Sequence, residues 1–228
     1  MNIKSYDPLL QATLVIFLIL LNSFLLFNYA SWYILLSILL LKVYQILGGG
    51  GVHLWACHGI GENKLSNISK SAILFFWNLC GIARASYFCK YHILHHACCD
   101  KEGDPHSPND HNPIVLTLGL WSLVANKRDK YITEPTQIKI DKAFDRIGSN
   151  IFDRYHYLII SFLLLSSLAI SPFVCLYFIA LPMLLNIIDG NFFFVYWFHR
   201  NGEVRNVSWA NYWILQSGNH KVHHKWLR

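Results

Sequence analysis

PLLQATLVIFLILLNSFLLFNYASWYILLSILLL, residues 8–41, runs for 34 positions without an Asp, Glu, Lys or Arg. A helix needs roughly 20 apolar residues to cross a bilayer core, so this stretch holds most of two crossings joined at Asn28-Tyr29-Ala30-Ser31. A second charge-free stretch of the same length, YHYLIISFLLLSSLAISPFVCLYFIALPMLLNII (155–188), repeats the pattern around Ser171-Pro172. Over all 228 residues, 54% are hydrophobic and 14% charged, whereas soluble domains carry about a quarter charged residues. The expected fold is therefore an all-α integral membrane protein, a single domain over 1–228. Four transmembrane helices are expected, at about 9–28, 31–50, 156–171 and 173–199. The run after Pro8 exceeds the roughly 7–15 residues of a cleaved leader core and lacks a cleavage site, so it is read as a retained span. Pro172 suits the first turn of a helix, and Pro182, inside the fourth span, is expected to bend it.

Every Lys and Arg lies in 1–7, 42–154 or 200–228. The positive-inside rule places these segments on one side, with both termini cytoplasmic. Segments 52–154 and 200–228 are expected to form a cytoplasmic helical cap, because the apolar runs 72–79 and 114–124 are too short to span. The formal charge of +6 is assigned to anionic membrane lipids rather than nucleic acid, since no recognition motif accompanies it. Six cysteines without a CxxC pair are read as reduced thiols.

The twelve histidines carry the functional information. His53 and His58 form HxxxxH after the second span. His92, His95 and His96 form HxxHH, His220, His223 and His224 form a second HxxHH, and His199 ends the fourth span. On a helix His92 and His96 are about 40° apart and His92 and His95 about 60°, so one face presents three rings and can feed two nearby ions. His53 and His58 diverge by about 140° on an ideal helix and are expected to serve different ions unless the helix breaks between them. Nine imidazoles exceed what one ion uses, and a dimetal site with four or five nitrogens per ion fits the number. Imidazole suits Fe, Zn, Cu and Ni. The isolated His106, His111 and His156 are read as surface or capping residues.

These boxes resemble the membrane fatty-acyl desaturases, in particular the acyl-CoA delta-9 branch, from about residue 35 to 228. GVHLWACH (51–58), HILHHACCDKEGDPHSP (92–108) and SGNHKVHH (217–224) are similar to that family's three histidine boxes. His199 is similar to the lone histidine ligand ending its fourth span. Leu54, Lys221 and Val195 stand where the family usually has Arg, Asn and Asn. The resemblance implies four transmembrane helices under a cytoplasmic cap, a histidine-ligated di-iron site, O2 as co-substrate and a fatty acyl substrate, acyl-CoA or acyl-lipid. A cis double bond, at the delta-9 position, is the implied product.

The chemistry of the residues leads the same way. Removing hydrogen from an unactivated methylene needs a metal-derived oxidant, because no side-chain acid or base can do it. Zinc is redox-inert, so two Fe ions are expected, with zinc entering only as an artefact of overexpression. No flavin, haem or iron–sulfur motif is visible, so an external donor such as ferredoxin or a b-type cytochrome is expected, with Lys127, Arg128 and Lys130 as a docking patch. Asp104 is a candidate to orient a ligand ring. Asp189, within the fourth span, is either a functional carboxylate or a hydrogen-bond partner between helices. Two other readings accompany the desaturase: a di-iron lipid or alkane hydroxylase, and a metal transport or storage protein. Histidines gathered at one end of the spans argue against transport, which needs polar groups through the midplane.

Overall fold

The computed structural model describes residues 7–200, Val204 and His224. Among them every element is helical. In chain order these are α1 (Asp7–Tyr29), α2 (Ile34–Cys57), α3 (Asn67–Leu79), α4 (Ala85–Cys98), α5 (Pro113–Thr117), α6 (Ser122–Ala125), α7 (Glu134–Ile147), α8 (Ile151–Arg154), α9 (His156–Ile170) and α10 (Pro172–Trp197). Two helices contain π-wound stretches, Gln45–Gly50 and Val52–Cys57 in α2, and Cys175–Ala180 and Asn191–Trp197 in α10.

Among the described residues three helices, α1 of 23 residues, α2 of 24 and α10 of 26, are long and apolar enough to cross a membrane. α9, expected as the third span, has 15 residues and is about 22 Å long, short of the roughly 30 Å hydrocarbon core. Its Leu158, Phe162 and Leu165 point outward, as do Leu20 and Phe24 of α1. The opposite faces of both helices, with Val15, Leu18 and Leu25 on α1 and Ile160 and Leu164 on α9, pack into a core shared with α10. Helices apolar on both faces suit protein on one side and lipid on the other.

α2 does not end at the Gly48–Gly51 run, where residue 50 was expected to close the second span; it continues to Cys57. The glycines serve a crossing. A Cβ on Gly48 would lie 2.5 Å from backbone atoms of Phe76 and Trp77, and one on Gly51 would lie 2.6 Å from Ile73. With hydrogen at those positions, α3 packs directly on the α2 backbone.

Pro182 follows the π-wound stretch of α10. A proline has no N–H to return to the preceding turn, and carbonyls there are met from other helices. Ser37 donates to Tyr177 O at 2.9 Å, Tyr44 to Phe178 O at 2.9 Å and Asn22 to Ala180 O at 3.1 Å. These bonds fix α1 and α2 against α10. Asp189 joins the same interface, accepting from Lys42 at 3.1 Å and Gln45 at 2.6 Å, both on α2. That is the partner role between helices.

α4 lies between two further cores. Ala85, Cys89 and Ile93 face Val52, Trp77 and Ile140, while Tyr87, Tyr91 and Leu94 face Leu116, Trp121 and Val195. The N-terminus of α4 is capped by a carboxylate from α8: Ser86 donates to Asp153 through its backbone N–H at 2.9 Å and its hydroxyl at 3.0 Å. An anion there complements the helix dipole. Arg84, 4% exposed, sits between Asp153 at 3.8 Å and Asp7 of α1 at 3.4 Å. The triad joins α1, α4 and α8.

Candidate metal centre

The remaining face of α4 carries His92, His95 and His96, and the histidines divide into two adjoining groups. The first comprises His53, His58, His92 and His96, with ligand atoms all within 4.8 Å of one another. His92 Nε2 is 3.2 Å from His58 Nε2 and 3.1 Å from His96 Nε2. The His53 ring lies 4.6 Å from that of His92 and 5.0 Å from that of His58. His53 and His58 therefore belong to one group, against the expectation that they serve different ions. The reason is local winding. Val52–Cys57 is π-helical, and with hydrogen bonds from i to i+5, residues five apart come round to nearly the same face.

The second group comprises His95, Cys99, His199 and His224, all buried. His95 Nδ1 lies 2.8 Å from Asp104 Oδ2, and His199 Nδ1 lies 3.0 Å from Asp100 Oδ2. A carboxylate on Nδ1 holds the ring and directs the Nε2 lone pair outward, the arrangement found behind metal-bound histidines. The groups touch where the His96 and His224 rings stack at 4.4 Å. His220 and His223 lie outside the described residues.

Asp104 organises the loop after α4. It is fully buried and also accepts from the backbone N–H of Asp100 at 2.8 Å and of His106 at 3.1 Å. Asp100 takes a left-handed conformation, φ 58°, which an Asp tolerates better than most residues. It is the residue whose carboxylate meets His199. Asp104→Asn is expected to cost roughly 10–100-fold in metal affinity at the His95 group and to leave the His53 group nearly unchanged. Chelator competition on the purified variant checks this.

Metal–imidazole bonds of about 2.1 Å put adjacent ligand nitrogens about 3.0 Å apart in an octahedron and about 3.4 Å apart in a tetrahedron, and 3.1 and 3.2 Å fall between. One N–H can bridge only one pair of the three nitrogens. A cation among them serves all their lone pairs together. Both groups fit a transition ion with nitrogen preference, the second with a thiol as an additional donor.

The sequence reading missed three residues near this centre. Cys99 joins the second group, and its spacing of four from His95 on α4 was the available signal. Asp100 was not singled out. His106, read as a surface residue, is buried against His95 with ring centroids 4.2 Å apart and forms a third grouping with His95 and Asp104. Burial pushes the His106 imidazole down to about 4 against the pull of Asp104, so it is neutral at physiological pH. His156 is also buried rather than superficial, with Nε2 2.7 Å from Ile82 O. His111 holds a loop through Pro105 O at 3.1 Å. In the expected docking patch, Arg128 is paired with Asp110 at 2.8 Å, and Lys130 lies over the Tyr131 ring.

Compared with known proteins, the chain matches no family model, no curated protein and no solved structure.

Proposed function

We propose that this chain is an oxygen-dependent desaturase of fatty acyl chains that uses two iron ions held by its histidines. The observation that carries the reading is the pair of adjoining imidazole-rich groups at the ends of apolar helices: His53 and His58 close α2, His199 follows α10, and both meet α4. His53, His58, His92 and His96 would hold one ion, and His95, His199 and His224 the other. When bound, the irons would supply the dioxygen-derived oxidant that removes hydrogen from a methylene, a task beyond any side chain here. Asp104 and Asp100 orient His95 and His199, and the apolar helices exclude water and offer an acyl chain access from lipid.

In this reading α1, α2, α9 and α10 cross the membrane, with the short α9 accommodated by local thinning of the bilayer. Elements α3 to α8 form a cytoplasmic cap, and the donor of electrons is an external protein. The uncharged connections at 30–33 and at Ser171 lie at the ends of the helices away from the histidine-bearing termini, which supports this sidedness.

Expression followed by fatty-acid profiling of the host membranes tests the reading. A monounsaturated acid two mass units below its precursor is expected, dependent on oxygen and on the histidines. A product sixteen units heavier would assign hydroxylation instead. No change with metal-loaded protein and a reduced donor present would overturn both.

A further inference from the structure

A cavity of about 430 Å³ opens between α4 and α7 beside the metal centre. Its inner end is formed by Cys57, His58 and His96, of which Cys57 and His96 are buried. Its outer wall carries Lys101, Lys139, Lys142 and Arg146, and the three lysines are exposed. The volume lies within the range of small-ligand sites.

The charges on α7 are segregated. At 100° per residue Lys139, Lys142 and Arg146 fall within about 60° of arc, while Glu134, Asp141 and Asp145 fall within about 40° on a neighbouring flank whose centre is about 110° away. Of the acidic groups around the cavity, Glu62 pairs with Arg146 at 2.8 Å, and Arg146 also donates to Ala56 O at 3.1 Å. The guanidinium is thus committed to the wall. Among the described residues, the ammonium groups of Lys101, Lys139 and Lys142 have no ion pair and can meet a ligand.

We propose that this cavity binds a phosphate-bearing ligand, with the phosphate held by Lys101, Lys139 and Lys142. Lysines bind phosphate as rotatable point charges, without the fixed bidentate geometry of an arginine fork. A phosphomonoester carries about −1.5 to −2 at neutral pH and so offsets most of the local positive charge. Phosphate binding here depends on the cavity and its charges and not on acyl oxidation, which the fatty-acid profile tests separately. The phosphate belongs either to a lipid head group or to a soluble ester.

The test is calorimetric titration of the purified, metal-loaded full chain in neutral detergent with phenyl phosphate and with inorganic phosphate. Saturable one-to-one binding that weakens with salt is expected. Lys139→Glu with Lys142→Glu should weaken it about tenfold, on the scale of exposed charge pairs, while ion content and thermal midpoint stay unchanged. Lys139→Arg with Lys142→Arg should retain it, as should Lys127→Glu with Lys130→Glu. Mixed micelles containing phosphatidic acid, but not phosphatidylcholine alone, should compete if the source is a lipid head group; absence of competition alongside phenyl phosphate binding assigns a soluble ester. Absence of saturable binding by any of these probes, or equal affinity in the glutamate variant, overturns the proposal.

Discussion

On the proposed reading, His92→Ala is expected to remove the ion assigned to His53, His58 and His96 and to reduce acyl product more than about 100-fold. His92 is the hub of that group. Its Nε2 lies within 3.2 Å of two other imidazole nitrogens, and its ring is 4.6 Å from both His53 and His96. Alanine takes away the donor with the closest neighbours and leaves three imidazoles where four converged. Changes to the partners behind ligands already cost about 10–100-fold, and loss of a ligand itself should exceed that. Elemental analysis should fall from two ions per chain to one or fewer, with helical content by circular dichroism unchanged. Wild-type ion content in the variant would dismiss the grouping.

Arg84→Met should produce the largest loss of stability, about 3–5 kcal/mol, the usual penalty for removing one member of a buried ion group. Asp7 is 2% exposed and Asp153 1%, so without the guanidinium two carboxylates are left in a site with little solvent. Burial already raises the Asp153 carboxyl above the ordinary carboxylate range, while Ser86 and Arg84 pull it back. Loss of Arg84 raises it further. A carboxyl raised on folding binds its proton more tightly in the native state, so the variant's deficit should be small in acid and widen as pH rises through the folded-state value. Thermal unfolding in detergent across pH 4–8 reads this out, with Arg84→Lys recovering part of the loss. A pH-independent wild-type midpoint in the methionine variant would show that the triad contributes nothing.

Composition alone made the apolar helices legible, because a 34-residue stretch free of charge has few other physical solutions. The HxxHH spacing likewise put three rings on one face of α4 through helical period. The departures arise where tertiary contact overrides local pattern. Gly48 reads as a terminator until α3 is seen packed on it at distances no Cβ permits. The π winding of Val52–Cys57 leaves no signature in residue type, so the α-helical pitch sets His53 and His58 apart where the actual winding brings them together. His106 looked isolated along the chain because the turn that buries it depends on Asp104, which binds Asp100, His95 and the His106 backbone simultaneously.

The π turns have a further consequence, best expressed as phase. Such a turn is an α-helix that has taken in a surplus residue, so the azimuth of every side chain beyond it depends on how many residues come before. His53 and His58 meet because α2 has that surplus at its end; the same two histidines on an evenly wound helix would point apart. Homologues that differ by one residue between Gly48 and His58 would therefore need a compensating change of pitch to keep both rings together. For this protein, length within a helix is as much a part of the centre as the identity of its ligands.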